Sequence, residues 1–159
     1  SMGSRKLKEW IVRPINSPDI LEKRLNVVGN IINNNSFFNE INSFLIDIPD
    51  IERILTRISQ KNVKPRDLFL LKNALNKIPH FINIIDNNNC LSHYKSLIPD
   101  VSSLTSLLNN SIVDEPPNLI KDGDVIKDGF DKELDELRNI TGDITDAIFK
   151  IEKNEKDNL

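Results

Sequence analysis

Residues 50–72 constrain the fold of this chain more than any other stretch. Four apolar residues recur there at the helical spacing i, i+3, i+4 and i+7, namely Ile51, Ile54, Leu55 and Ile58. Asp50 is expected to cap this helix, because a carboxylate accepts hydrogen bonds from first-turn N–H groups. A second helix is expected to begin at Pro65, with three inward residues, Leu68, Leu71 and Leu75. Because the connection is short, the two helices are predicted to be antiparallel neighbours. The flanking segments are expected to cover their remaining apolar side.

Three helices are predicted before this pair. Residues 5–12 carry apolar residues at a spacing of three and four, and the run stops before Pro14. Ser17 and Pro18 form a strong start signal for a second helix. Its predicted buried face consists of Leu21, Leu25, Val28 and Ile32. Ser36 is expected to cap a third helix, whose inward residues are Phe37, Ile41, Phe44 and Leu45.

The helical pattern resumes after the pair. Pro79 predicts a break or kink, after which Phe81, Ile82 and Ile85 indicate another helix. Two shorter helices are predicted over residues 92–97 and 102–108, and a polar, proline-containing break follows at residues 114–117.

The last part of the chain changes character. Two β-like runs over residues 119–126 flank the dipeptide Asp122-Gly123, which predicts a small β-hairpin. Asp131 is then expected to cap a long helix of about 37 Å at 1.5 Å per residue. Its apolar stripe is Leu134, Leu137, Ile144, Ile148 and Ile151.

The predicted fold class is all-α, a multi-helix core bundle with one small β-hairpin and a long C-terminal lever helix. The expected division is a helical core over residues 1–117, a hairpin or turn segment over 118–130, and an outgoing lever helix over 131–159. Beyond Ile151 the sequence has no apolar face, and the chain stops without a helix terminator, so we expect it to be cut from a longer protein.

Composition excludes some classes of function. The net charge of −3 does not suit a module that grips a phosphate backbone with its own surface. The single cysteine, Cys90, excludes an internal disulfide and fits a reducing compartment. No apolar run approaches the roughly 20 residues that span a bilayer. We therefore expect a cytoplasmic protein with no membrane partner.

Four segments, taken in order, resemble the core (lever) domain of the MutS family of DNA mismatch-recognition ATPases. They cover residues 2–14, 20–28, 50–68 and 122–137. The residues that carry the resemblance are Gly3, Arg5, Trp10, Pro14, Arg24, Asp50, Glu52, Arg53, Pro65, Arg66, Asp67, Leu68, Gly123, Gly129, Leu134, Asp135 and Leu137. Gly142 departs from the family pattern, because it interrupts the predicted lever helix. Whether residues 1–4 are native or an expression tag stays open.

The resemblance implies a non-catalytic segment that couples other domains to one another. It implies no catalytic, cofactor-binding, metal-binding or DNA-binding residue here, whereas the full-length parent would be a DNA-dependent ATPase that uses ATP and Mg²⁺. The implied partners are the connector, clamp and ATPase domains of the same protein. Duplex DNA would be bound only by the full-length protein, which is expected to be a homodimer.

Other patterns suggest chemistry but have simpler explanations. Phe38-Asn39-Glu40 imitates the family's mismatch-wedging Phe-x-Glu motif, yet it falls inside an amphipathic helix and outside the family's order. Asp124 and Asp128 give a calcium-loop spacing, but Ile126 stands at a ligand position. His80, His93 and Cys90 lack neighbours at metal-ligand or catalytic spacing, and no phosphate-binding Gly-Lys-Ser/Thr loop occurs.

Two other functions stay open at this point. The chain could be a stand-alone helical adaptor that binds another protein through an apolar patch, or the core of a MutS-like recombination protein. If Trp10 is buried, its replacement by alanine would cost about 3–5 kcal/mol. The apolar seam on the last helix predicts that the chain self-associates.

Overall fold

The computed structural model describes residues 1–142 and 144, and its regular structure is helical. The α-helices are α1 (Met2–Val12), α2 (Pro18–Asn33), α3 (Asn35–Ile46), α4 (Ile51–Ser59), α5 (Pro65–Asn76), α6 (Ile78–Asn87), α7 (Ser92–Lys95), α8 (Ser102–Ser111) and α9 (132–142). Two 3-10 turns cover Asn89–Leu91 and Ile120–Asp122. The all-helical class predicted from the sequence is therefore confirmed.

Local start signals place most helix boundaries. Asp50 caps α4, because its carboxylate accepts a hydrogen bond from Arg53 N–H at 3.3 Å. Proline lies in the first turn of α2, α5 and α6, where its missing N–H costs nothing. The cap predicted for α3 is wrong by two residues: the Asn34 side chain, not Ser36, accepts from Phe37 N–H at 3.1 Å.

Two groups of buried side chains form the core. The first core cluster joins α4, α5 and the end of α8, through Ile54, Leu71, Leu75, Leu108 and Ile112. The second core cluster joins α3, α6 and the turn after α6, through Phe37, Ile84, Ile85 and Leu91. Since α5 leads into α6 across a one-residue break at Lys77, the predicted helix pair α4–α5 belongs to the centre of the fold.

The buried face predicted for α2 is wrong. Its four residues, Leu21, Leu25, Val28 and Ile32, are 43–71% exposed. The neighbouring ridge instead packs on the second core cluster, through Val27 and Ile31. Helix α2 has apolar residues on both ridges, so periodicity alone could not decide which one meets the neighbouring helices. Leu45 of α3 and Leu55 of α4, both predicted to point inward, are also exposed.

The predicted β-hairpin is wrong as well. Residues 120–122 form a 3-10 turn, and the two left-handed residues are Gly123 and Asp124, with φ of 79° and 49°. A two-residue hairpin centred on Asp122-Gly123 would need positive φ at both of those residues. The positive φ values occur one position later, at Gly123 and Asp124. Ile126 pairs with Ile112 in an isolated antiparallel bridge, and the described residues contain no sheet.

The start of the last helix is as predicted, but a long lever is not supported. Leu134 N–H donates to the Asp131 carboxylate at 3.1 Å, which caps α9. Helix continues through residues 132–142, which at 1.5 Å per residue is about 16 Å. Ile148 and Ile151, the outer residues of the predicted stripe, lie outside the described residues.

No helix in the described part of the chain combines the length and the apolar character needed to cross a bilayer.

Candidate functional site

Arg5 fastens α1 to the first turn of α4. Its guanidinium donates to both oxygens of the Asp50 carboxylate, at 2.9 and 2.7 Å. Two more of its N–H groups donate to Glu52 Oε2, at 2.9 and 2.6 Å. The same Asp50 carboxylate also caps α4, so it both stabilises the start of that helix and binds the arginine of α1. We call Arg5, Asp50 and Glu52 the arginine cluster.

Two members of the arginine cluster have shifted pKa values. The hydrogen bond from Arg5 lowers the pKa of Asp50 from 3.8 to about 2, because it stabilises the charged carboxylate. The hydrogen bonds to Asp50 and then to Glu52 raise the pKa of Arg5 above its usual value. Asp50 and Arg5 therefore both stay charged at neutral pH.

Arg57 links α4 to α5 through a carboxylate that is mostly buried. Its Nε and Nη2 donate to the two oxygens of Asp67, at 2.8 and 2.6 Å. Asp67 also accepts from Lys64 N–H at 3.1 Å, which caps α5. Burial raises the pKa of Asp67, but the hydrogen bonds from Arg57 and Lys64 outweigh it, so the net pKa is lowered.

Lys72 links α5 to the segment after α8. The side chain is 3% exposed, and its ammonium donates to the carbonyl of Ile112 at 3.1 Å and to Asp114 Oδ1 at 2.7 Å. The carbonyl of Val113 lies at 3.4 Å. These acceptors satisfy a buried charge that would otherwise be strongly unfavourable. The hydrogen bond from Lys72 in turn lowers the pKa of Asp114.

Arg138 links the segment before α9 to α9 itself. Its guanidinium donates to Asp128 at 2.7 Å and to the carbonyl of Ile126 at 2.9 Å. On the other side of the same turn, Gly129 N–H donates to the Asp135 carboxylate at 2.9 Å. The base of α9 is therefore held by side chains of its own first two turns.

Backbone hydrogen bonds close the gap between the last two links. Val113 N–H donates to the carbonyl of Val125 at 3.2 Å, and Lys127 N–H to that of Ser111 at 2.8 Å. Arg5, Arg57, Lys72 and Arg138 thus form a series of charged contacts from α1 to α9, joined to one another by the backbones of α4 and α5 and by these backbone hydrogen bonds. We call this series the ion-pair chain.

Many of the residues that carry the sequence resemblance meet in these contacts. The ion-pair chain brings together Arg5, Asp50, Glu52 and Asp67. Arg53 Nε lies 3.5 Å from Asp50 but is 71% exposed. A second contact of α1 places the Arg24 guanidinium 3.8 Å from the centre of the Trp10 ring.

The remaining resemblance residues have local roles or none that is visible. Pro65 and Leu68 pack in the interior, and Gly123 and Gly129 adopt left-handed φ of 79° and 80°. Leu134 and Asp135 are half-buried, whereas Pro14, Arg66 and Leu137 are exposed. Gly3 is not forced by space, since a Cβ there would have its nearest neighbour at 4.0 Å.

Sequence reasoning did not single out Lys72, Asp114 or Arg138. Lys72 directly follows Leu71 on the buried side of α5, and a lysine on an apolar face was the signal that could have identified it. Arg138 had no such signal, because its partners Ile126 and Asp128 lie in a segment that periodicity does not locate, and Asp114 itself lies in a non-helical segment of that kind.

The residues weighed for other chemistry lie apart from one another. Phe38 is 47% exposed on α3, and Asp128 is engaged by Arg138 rather than open to a cation. The His80 ring lies against Phe44, and Cys90 packs beside the second core cluster. Within residues 1–142 and 144, no group of three or more His, Cys, Asp or Glu side chains is placed to hold a metal ion.

Comparison with known proteins gives one consistent family. A family model described as MutS domain III matches residues 1–158. The DNA mismatch repair protein MutS of Clostridium perfringens is 40% identical over 159 residues, and that of Clostridium tetani is 35% identical over 159 residues. The MutS protein of Petrotoga mobilis is 34% identical over 157 residues.

These matches cover almost all of this chain but a small part of each relative. They span 99% of the chain, and 18% of the C. perfringens and C. tetani proteins. The corresponding share of the Petrotoga mobilis protein is 19%.

Proposed function

The chain belongs to the MutS family as its domain III, and from this premise we propose that it transmits conformational change between other domains of a mismatch-repair protein. In this proposal the chain is a stiff, non-catalytic coupling element. We infer that a displacement of one neighbouring domain moves α1, and that the resulting movement of α9 displaces another domain. The alternative of a recombination protein is less favoured, because the matched relatives are named DNA mismatch repair proteins.

The observation that carries the proposal is the ion-pair chain. Arg5 joins α1 to α4, Arg57 joins α4 to α5, and Lys72 joins α5 to the segment that leads to α9. Coupling between distant sites can be carried by networks of ion pairs, hydrogen bonds and packed side chains that join elements which move as units. Packed cores supply the rigidity, because they shift as bodies and do not deform continuously.

In this proposal ATP hydrolysis and DNA binding belong to the full-length parent protein. We propose that the parent is a cytoplasmic, homodimeric, DNA-dependent ATPase, and that its ATP and Mg²⁺ are bound outside this chain. Duplex DNA would be contacted by the assembled protein. The chain alone should then show neither ATP turnover nor mismatch-selective binding in standard hydrolysis and duplex-binding assays.

The decisive experiment breaks the last link of the ion-pair chain in the full-length parent. Arg138→Ala removes the contacts to Asp128 and to the carbonyl of Ile126. The Asp128 side chain is 94% exposed and stays hydrated without its partner, so the fold should persist. We expect the stimulation of ATP hydrolysis by mismatched DNA to fall. The hydrolysis rate without DNA and the affinity for a mismatched duplex should stay unchanged.

A matched control is Lys95→Ala. Lys95 forms an ion pair with Asp86 at 2.6 Å that is half exposed and lies off the ion-pair chain. It should leave DNA stimulation intact. Full stimulation in Arg138→Ala would contradict the proposed coupling, and so would catalytic turnover by the isolated chain.

A further inference from the structure

Helix α1 differs from the other long helices in what holds it. No side chain of α1 or of α2 is fully buried, but α2 packs Val27 and Ile31 on the second core cluster, whereas neither core cluster of the described residues includes a residue of α1. The aliphatic residues of α1 are 57–71% exposed, namely Leu7, Ile11 and Val12. Trp10 is covered more, at 37% exposed. Hydrophobic burial, the main source of helix docking in folded proteins, therefore contributes less to the position of α1 than to that of α2.

Charge contacts fix α1 instead. Arg5 binds Asp50 and Glu52 on α4, and Trp10 receives the Arg24 guanidinium from α2 at 3.8 Å. Solvent reaches both contacts, since the side chains of Arg5 and Glu52 are 38% and 64% exposed and Trp10 is 37% exposed. Within the arginine cluster Asp50 is the most covered partner, with its side chain 29% exposed. Attraction between exposed charges is weakened by salt, whereas buried apolar contacts are not.

The first turn of α4 has a cap that does not involve α1. The Asp50 carboxylate accepts from Arg53 N–H, a bond within α4 that does not require Arg5. The Arg53 guanidinium also lies 3.5 Å from the Asp50 carboxylate, so Asp50 has a counter-charge on its own helix, while Glu52 is 64% exposed and open to solvent. Loss of Arg5 would therefore leave α4 capped.

We propose that α1 is a detachable strap, held on α4 and α2 by charge and released by ionic competition while the helices beneath it stay folded. A protein held in this way has two discrete arrangements that differ in a few exposed contacts. Release would open the first link of the ion-pair chain, so the proposed coupling requires α1 to be docked, whereas the release itself is a property of the chain and can be tested on it alone.

The chain contains a direct reporter of this release. Trp10 is its single tryptophan, lies on α1 and is 37% exposed when docked. Fluorescence quenching by a neutral quencher such as acrylamide measures its accessibility, and far-UV circular dichroism measures helix content separately. The test is to record both as NaCl rises from about 0.1 M to about 1 M, over which the Debye length falls from about 10 Å to about 3 Å.

We expect quenching of Trp10 to rise with salt at constant helix content. The rise is at most about threefold, the ratio of full exposure to the docked 37%. Arg5→Ala should show raised quenching already at low salt and little further response. The control Lys6→Ala removes a pair with Glu9 inside α1, so it should keep the wild-type salt response.

Three outcomes would overturn the proposal. They are quenching in the wild-type chain that does not respond to salt, quenching in Arg5→Ala equal to that of the wild type at low salt, and exposure of Trp10 that always accompanies loss of helix. The salt series uses the unmodified chain, so it tests the release of α1 even if Arg5→Ala does not fold.

Discussion

Lys61 ends α4 in the left-handed region of backbone space, with φ of 54°. Asn62 N–H donates to the carbonyl of Arg57 at 2.9 Å and Lys61 N–H to that of Ile58 at 3.0 Å, a Schellman arrangement. Glycine is the residue best suited to that position, because it has no Cβ to clash. We predict that Lys61→Gly raises the free energy of unfolding by up to about 1 kcal/mol.

Urea denaturation followed by circular dichroism would measure this gain. Lys64→Gly is the matched control, because Lys64 has φ of −96° and gains nothing from losing its Cβ. Equal effects of the two substitutions would contradict the assignment of strain to Lys61.

Trp10 contributes less to stability than a buried indole would. The condition of core burial, on which a loss of about 3–5 kcal/mol depended, is not met, since the side chain is 37% exposed and its ring faces Arg24. We predict that Trp10→Ala lowers the free energy of unfolding by less than about 2 kcal/mol, the scale of a partly exposed cation–π contact. A loss of about 3–5 kcal/mol in urea denaturation, as expected for a core aromatic, would contradict the observed position.

Asp50 should titrate well below an ordinary carboxyl. Its pKa of about 2 lies below the usual 3.8, so the stabilisation is complete above pH 3.8 and is lost as the pH falls toward 2. Carboxyl-detected NMR titration would measure this pKa directly. In Arg5→Ala the pKa should rise toward 3.8, and an unchanged value would show that Arg5 is not the cause.

At the scale of elements, the link between α4 and α5 should be the most sensitive to mutation. Asp67 is 9% exposed, so Arg57→Ala leaves a largely buried carboxylate without its main partner. We predict a loss of about 2–3 kcal/mol in the free energy of unfolding. Arg53→Ala is the control on the same helix, and its 71% exposed side chain should cost less than about 0.5 kcal/mol. Similar losses in the two variants would contradict this ranking.

The same elements mark the limit of sequence reasoning. Asp50, Pro65 and Asp131 correctly predicted where their helices begin, because caps and first-turn prolines act locally. The inward ridge of α2 could not be predicted, since Val27 and Val28 are equally apolar and the choice depends on distant helices. Ile126 was expected to pair within a hairpin, but its partner Ile112 lies fourteen positions away.

The candidate site was only partly predictable for a related reason. The resemblance selected Arg5, Asp50 and Asp67, but it did not say that they touch. The position of Lys72 beside the apolar face of α5 could have marked it as unusual, but nothing in the sequence indicated that its partner would be a carbonyl group forty residues later. Contacts between residues so far apart in the sequence depend on the tertiary structure and are identified only there.

At the scale of the whole molecule, exposed apolar side chains predict self-association. On α9 and just beyond it, three residues that share one side are 56–57% exposed, namely Leu137, Ile140 and Ile144. We expect the apparent mass in light scattering to rise with protein concentration. Leu137→Glu should reduce this rise, whereas Asn139→Glu is the control between the apolar positions. A strictly monomeric wild type at high concentration would contradict the prediction.

The bridge between Ile112 and Ile126 has a practical consequence for engineering. The bridge is flanked by two backbone hydrogen bonds, from Val113 to Val125 and from Lys127 to Ser111. Together these contacts bring the two ends of residues 114–124 close to each other. A loop closed at its base tolerates added length at small entropic cost. A fluorescent or epitope label inserted into that loop, at Gly123 for example, should leave the helices in place. It would label an internal position of the chain without modifying either terminus.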